Sequence, residues 1–173
     1  MKSILIRQGF WVVGISLIAA NVVAQGDPLS QKAATTPHSD TDALISLGNL
    51  FVEANRMDEA RAVFRDAAAR MKNPAEARFG MARVQMSGGK LQQSKHACRL
   101  VAQADPKNSV GDICEGWSWL TFDRSARAEE SFSKALEKGD AKRAHYGQAE
   151  VYRLRTEYDK AIPLYEQAIS EGA

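Results

Sequence analysis

The hydrophobic pattern of the chain repeats at intervals of 33 or 34 residues. Each interval contains a small residue, a bulkier or sulfur-containing residue four positions later, and an apolar residue three positions after that. Residues spaced in this way lie on one face of a helix. The three series are Ala60, Ser94, Ala128 and Ala161, then Phe64, Cys98, Phe132 and Tyr165, and then Ala67, Val101, Ala135 and Ala168.

A second set of small residues precedes the first by twelve positions and consists of Gly48, Ala82, Gly116 and Ala149. Two antiparallel helices approach to about 8 Å only where their contact residues are small. Each interval therefore predicts two helices joined by a turn, and no strand is predicted. We expect eight helices, at residues 41–54, 58–71, 75–87, 91–104, 109–122, 126–138, 142–154 and 158–171.

This pattern resembles the tetratricopeptide repeat (TPR), in which small residues lie where two helices cross and a large residue fills the gap between them. The resemblance covers residues 41–173. It implies an all-α fold, a right-handed α-solenoid of about four helix–turn–helix repeats, because each helix pair leaves an apolar face that only the next pair covers. The repeats are expected at approximately 41–74, 75–108, 109–141 and 142–173.

The N-terminal 24 residues have the order of a secretory signal peptide. Lys2 and Arg7 precede an uncharged apolar stretch that ends in Val22–Ala24. We expect cleavage, export to the periplasm and no stable membrane insertion afterwards. The alternative is an uncleaved anchor in the inner membrane, although the apolar run is shorter than the about 20 residues of a spanning helix. Residues 25–40, with Pro, Ser, Thr and Gly, predict a flexible linker.

The charge balance favours neither nucleic acid nor a membrane surface as partner. The formal net charge is +2, from 23 basic and 21 acidic residues. Lys2 and Arg7 belong to the predicted signal peptide, so the mature chain would carry 21 basic residues (23 − 2) against 21 acidic ones. A neutral chain has no net attraction for polyanions.

No catalytic, cofactor-binding or metal-binding constellation is found in the sequence. The histidines His38, His96 and His145 lack metal-ligand spacing. Gly88–Lys90 lacks the upstream glycine and the following Ser or Thr of a phosphate loop. We therefore predict a protein that is not an enzyme and has no cofactor; an enzyme accessory subunit is the least favoured alternative.

The TPR resemblance implies a concave groove that binds another protein or peptide. The second, fifth, ninth and twelfth places of each repeat line such grooves. An apolar stripe there suits an apolar helix or an extended peptide, although residues at the fifth places can instead belong to the core. The candidate groove residues are Ile45, Asn49, Val52, Phe79, Arg83, Met86, Ile113, Trp117, Leu120, Tyr146, Glu150 and Arg153.

Trp117 is the strongest candidate in this stripe for a residue that contacts the partner. Trp119 occupies the internal aromatic place of the same helix, and side chains two residues apart on a helix point about 200° apart. Trp117 should then face outward, where tryptophan is typical of binding hot spots.

The resemblance favours an adaptor or assembly factor of the bacterial cell envelope. The alternative is a structural protein that self-associates, as a homodimer, through the face of its last helix. That face carries Ile162, Tyr165 and Ile169.

The two cysteines, Cys98 and Cys114, lie on helices that are neighbours in a TPR stack. An even count in an oxidising compartment favours a disulfide, which would add about 3 kcal/mol of stability. The alternative is two buried free thiols. We expect mass spectrometry of the exported protein to find no alkylatable thiol before reduction; two alkylated cysteines without reduction would refute the bridge.

Overall fold

The computed structural model describes residues 27–172, which form helices and no strand. The predicted signal peptide, residues 1–24, lies outside this range. Within this range, residues 27–37 and residues 38–172 belong to two separate compact units. None of the helices between Asp27 and Gly172 is both long and apolar enough to cross a bilayer.

The segment predicted as a flexible linker contains one helix, α1 (Pro28–Thr35). The carboxylate of Asp27 accepts a hydrogen bond from the backbone N–H of Leu29 at 2.9 Å and caps the helix. Pro28 stands at the first helical position, where its fixed φ favours the helix and its missing N–H costs nothing. The composition of this segment suggested flexibility, but the Asp–Pro pair starts a helix there.

The second unit contains the eight helices predicted from the sequence, and each end lies within one residue of the predicted position. They are α2 (Thr41–Glu53), α3 (Met57–Arg70), α4 (Ala75–Ser87), α5 (Leu91–Ala104), α6 (Val110–Thr121), α7 (Ser125–Glu137), α8 (Ala141–Leu154) and α9 (Tyr158–Ser170).

The eight helices form an α-solenoid. Each packs against the next one along the chain, and the first helices of successive repeats (α2, α4, α6 and α8) also pack against one another. The second helices (α3, α5, α7 and α9) make no contact with one another within the described residues. The first helices therefore form a continuous wall.

A phenylalanine ring fills the junction between the first and second repeats. Phe64 on α3 is fully buried and lies between Gly48 on α2 and Gly80 on α4. A Cβ atom at either glycine would lie within 2.5 Å of the ring carbon Cε1 of Phe64. Real Cβ atoms do not approach so closely, so only glycine admits the ring at both places.

The junction between the third and fourth repeats is built in the same way. Phe132 on α7 lies between Gly116 on α6 and Gly147 on α8, and a Cβ atom at either glycine would come within 2.5 Å of Phe132 Cε1. Phe132 is also fully buried. The sequence places these glycines and rings two repeats apart, at equivalent positions.

The middle junction uses a disulfide in place of a ring. Cys98 on α5 and Cys114 on α6 are bonded to each other, with Cα atoms 5.3 Å apart. Both are fully buried and share a core cluster with Ala82 and Val101. Ala82, Cys98 and Cys114 occupy the places that Gly48, Phe64 and Gly80 hold at the first junction. The bridge therefore replaces the packing of the missing phenylalanine.

The turns within repeats fall between the predicted helices and share one geometry. Asn55, Gly89, Asp123 and Thr156 have positive φ, and only one of them is glycine. The residue after each donates its N–H to a carbonyl five residues back, as in Arg56 N–H to Phe51 O at 2.8 Å. This bond is that of a Schellman motif. In each repeat this motif ends the first helix, and the second helix begins directly after it.

The glycines beside Phe64 generate a stability prediction for Gly80→Ala. Alanine favours a helix interior by about 1 kcal/mol over glycine, but overpacking a full core costs about 1–3 kcal/mol. Because the buried ring has no space to retreat, we expect overpacking to dominate and the free energy of unfolding, measured in urea, to fall by about 1–2 kcal/mol.

Gly88→Ala is the matched control, because a Cβ atom there would meet nothing closer than 3.5 Å. Its stability should stay at or slightly above that of the wild type. Equal effects of Gly80→Ala and Gly88→Ala would contradict the role of the close approach.

Candidate partner-binding groove

Two neighbouring cavities open on the wall of first helices. One has a volume of about 420 Å³ and the other of about 250 Å³. The two share Arg83 and Trp117, so they form one continuous depression, which we call the concave groove. The first cavity is lined by Phe79, Arg83, Ile113, Trp117, Arg143 and Tyr146. The second is lined by Val52, Arg83, Met86, Ser87, Trp117 and Thr121.

Seven of the twelve residues selected from the sequence line this groove. They are Val52, Phe79, Arg83, Met86, Ile113, Trp117 and Tyr146. Their side chains are not equally available. Ile113 is fully buried and forms part of the floor, whereas Tyr146 is 46% exposed. The fifth places of the repeats therefore serve both the core and the groove.

The other five selected residues have different positions. Leu120 is 7% exposed and packs with Phe132 in a core cluster, and it lines neither of the two cavities. Ile45 packs against a core cluster of the first repeat. Asn49 accepts a hydrogen bond from Arg83. Glu150 and Arg153 pair with each other at 2.8 Å.

The two tryptophans of α6 point to different faces, as predicted. Trp117 lines the concave groove, and Trp119 lies on another face with Lys95 Nζ 4.5 Å and Arg127 Cζ 4.7 Å from its ring centroid. Trp119 is partly buried and packs against the core cluster that contains Phe132. The two cations lie over its ring.

A row of aromatic rings crosses the groove from the third to the fourth repeat. Trp117 meets Phe132 edge-on at 5.6 Å between centroids. It also contacts Tyr146 at 5.8 Å, and Tyr146 contacts Tyr165 at the same distance. The hydroxyl of Tyr165 donates to Glu150. Burial, together with this bond to a carboxylate, raises the pKa of Tyr165 to about 12. The row fixes the orientation of Trp117.

Arg83 contributes a positive charge to the centre of the groove. Its Nη1 donates a hydrogen bond to Asn49 Oδ1 at 2.8 Å. No carboxylate of the described residues lies within ion-pair distance of Arg83. Burial lowers the pKa of Arg83, against an opposing effect of the Glu53 charge, but an arginine so shifted remains protonated at neutral pH.

Arg143 is a groove residue that was not selected from the sequence. It donates to Glu76 Oε1 at 2.8 Å and, through Nε, to Asp140 Oδ2 at 2.7 Å. Asp140 also accepts from Ser109 Oγ at 2.6 Å. Glu76 belongs to α4 and Arg143 to α8, so this pair links the second and fourth repeats across the third. Glu76 and Arg143 each occupy the second place of a repeat, which is one of the places that line the groove in the TPR pattern.

The histidines do not come together. His38 contacts Asp66 and His145 contacts Glu171, in different repeats. Within residues 27–172 no group of three His, Cys, Asp or Glu side chains could hold a metal ion.

Comparisons with known proteins place the fold. Family models described as tetratricopeptide repeat match residues 51–111 and 115–173. The structure is similar to that of a thermophilic TPR protein from Thermus thermophilus, with 17% identity and a TM-score of 0.65 over 92% of this chain and 88% of that chain. No curated protein matches the chain by sequence.

Two further solved structures are similar to this chain. One belongs to the APC/C hetero-tetramer Cut9–Hcn1, with 14% identity and a TM-score of 0.57 over 91% of this chain and 28% of that chain. The other is a MamA protein, with 14% identity and a TM-score of 0.49 over 96% and 95% of the two chains. At these identities the likeness concerns the fold and says nothing of the ligand.

The Arg143 network generates a pH-dependent prediction. Burial raises the pKa of Asp140, but hydrogen bonds from Arg143 and Ser109 outweigh it, so the pKa lies below its ordinary value. A depressed carboxyl pKa stabilises the fold above about pH 4, and this contribution is lost as the pH falls through the folded-state value. Arg143→Met should lower the free energy of unfolding by about 1–2 kcal/mol at neutral pH.

The difference in the free energy of unfolding between wild type and Arg143→Met, measured in urea, should shrink as the pH falls below the ordinary aspartate pKa of about 4. Lys134→Met is the control, since it removes only the exposed ion pair with Glu130, which contributes little. A difference that stays constant with pH would rule out the Asp140 contribution.

Proposed function

Because this chain is a tetratricopeptide-repeat protein, we propose that it is a non-catalytic adaptor or assembly factor of the bacterial cell envelope that holds a partner polypeptide in its concave groove. The fold is that of a protein–protein interaction module. The observation that carries the proposal is the presence of both Arg83 and Trp117 in the lining of each of the two cavities.

Arg83 favours an acidic group on the partner. Its charge is partly removed from water, and its hydrogen bond to Asn49 is to a neutral acceptor. A desolvated charge is costly unless it is paired. A partner carboxylate would form charge-assisted hydrogen bonds to the remaining edge of the guanidinium, which suits planar carboxylates.

Trp117, Phe79 and Tyr146 favour a large apolar side chain next to that acidic group. All three line the same cavity as Arg83. Partly exposed tryptophan and tyrosine rings supply much contact area at low entropic cost, and they are frequent binding hot spots. The proposed ligand is therefore an extended or helical segment with an acidic residue beside an apolar one.

Export to the envelope is part of the proposal. The order of cations, apolar residues and Val22–Ala24 at the N-terminus supports a cleaved signal peptide. The Cys98–Cys114 bond supports an oxidising compartment such as the periplasm. N-terminal sequencing of the protein from envelope extracts should then find Gln25 as the first residue.

Self-association through α9 is a second candidate function. Tyr158, Ile162 and Ile169 are 57%, 57% and 68% exposed on this helix. Tyr165, expected on the same face, packs against Tyr146 instead. Light scattering on residues 25–173 measures this function, with Ile162→Lys as the variant that would disperse a dimer.

The groove is tested by capture from envelope extract with four baits: wild type, Arg83→Glu, Trp117→Ala and Arg65→Glu. We expect partners of the wild type to be lost with Arg83→Glu and weakened at least about tenfold with Trp117→Ala, as for a hot-spot residue. Arg65→Glu is the charge-matched control, because Arg65 is exposed on α3, away from the groove.

Circular dichroism of each bait checks that it folds. A set of captured proteins that is the same for all four baits would exclude the concave groove as the binding site. A set lost with Arg65→Glu as well would point to net charge rather than to the groove.

A further inference from the structure

Helix α4 also lines a cavity outside the concave groove. This cavity lies on a face about 150° around the helix from Phe79 and Arg83. Its volume is about 450 Å³, and we call it the outer cavity. Residues of α4 and α5 line it, among them Arg78, Met81, Gln85, His96, Ala97 and Leu100. None of these residues lines the concave groove, so the two sites are separate.

The outer cavity lies where the other repeats place an aromatic ring. Gln85 occupies the eleventh place of the second repeat, which is Phe51, Trp119 and Tyr152 in the other three. Those rings are all covered by cations, at 4.5–5.7 Å from the ring centroids. The space beside Trp119 has a volume of only about 40 Å³. The second repeat therefore has room where its neighbours have a ring.

Gln85, one of the residues that line the outer cavity, carries an unsatisfied acceptor. The Oε1 atom of Gln85 is buried and has no hydrogen-bond partner within the described residues. A buried carbonyl oxygen without a donor costs about 1–3 kcal/mol, and such atoms are rare in folded proteins. The terminal torsion of glutamine is soft, so a small rotation would present this oxygen to a donor entering the cavity.

The formal charge around the outer cavity is positive. Arg78 lines it together with His96, and no carboxylate does. Neither side chain has an ion-pair partner within residues 27–172. Met81, Ala97 and Leu100 supply the apolar walls, and Leu100 is 43% exposed. A ligand that complements this site has an aromatic ring, a hydrogen-bond donor on the ring, and a negative charge close to it.

We propose that the outer cavity binds a tyrosine or tryptophan side chain of a partner polypeptide, flanked by an acidic group. The ring takes the place of the aromatic residue that the second repeat lacks. Its O–H or N–H donates to Gln85 Oε1, and the acidic group pairs with Arg78. The protein would thus engage polypeptides on two faces of the same helix.

The proposal is tested by NMR with N-acetyl-tyrosine as the probe, because this compound has the ring, the hydroxyl donor and a carboxylate. We expect it to shift the methyl signals of Met81 and Leu100 in a saturable way. N-acetyl-phenylalanine, which lacks only the hydroxyl, should bind about fivefold more weakly, as for the loss of one hydrogen bond.

Two variants control the site. Gln85→Tyr places a ring in the cavity, as in the fourth repeat, and should abolish the shifts. Arg78→Glu keeps the cavity open but reverses its charge, and should weaken binding of N-acetyl-tyrosine without affecting partner capture by the concave groove.

The proposal is overturned if N-acetyl-tyrosine shifts no methyl signal up to its solubility limit, or if Gln85→Tyr shows the same shifts as the wild type. Equal affinity for the tyrosine and phenylalanine probes would also overturn it, because the hydroxyl would then have no acceptor.

Discussion

Insertion of one side chain between two first helices is the interaction on which the solenoid depends. Phe64 and Phe132 each fill a junction between repeats, and each requires a glycine on both helices that it touches. The ring buries apolar surface from two repeats at once, which neither repeat could bury alone. At the first and third junctions the ring therefore sets how closely the first helices approach each other.

The middle junction solves the same packing problem with a covalent bond. Cys98 and Cys114 take the place of the ring and one of its glycines, and Ala82 stands at the place of the other glycine. This junction lies between α4 and α6, the two helices that carry Arg83 and Trp117. The centre of the groove is therefore supported by a bond whose formation depends on the compartment, whereas both flanking junctions depend on packing alone.

Helix α4 shows how one repeat can serve two surfaces. Its concave face carries Arg83, an arginine that donates to a neutral amide. Its outer face carries Gln85, where the other repeats have a ring. Both residues depart from what packing alone would select, and polar groups that a fold leaves unsatisfied are frequent at functional sites.

The sequence alone determined the number, type and bounds of the repeat helices, because small and large apolar residues must recur wherever two helices cross. It also favoured the cysteine pair, since Cys98 and Cys114 fall on adjacent helices of the stack. Only the tertiary structure decided which stripe residues reach solvent. Leu120 lies in the core and Arg143 lies in the groove. The exposure of each side chain depends on the neighbouring repeats, and the spacing of residues along one helix carries no information about those repeats. The same holds for Gln85, whose missing ring matters only because no residue of another repeat fills the space.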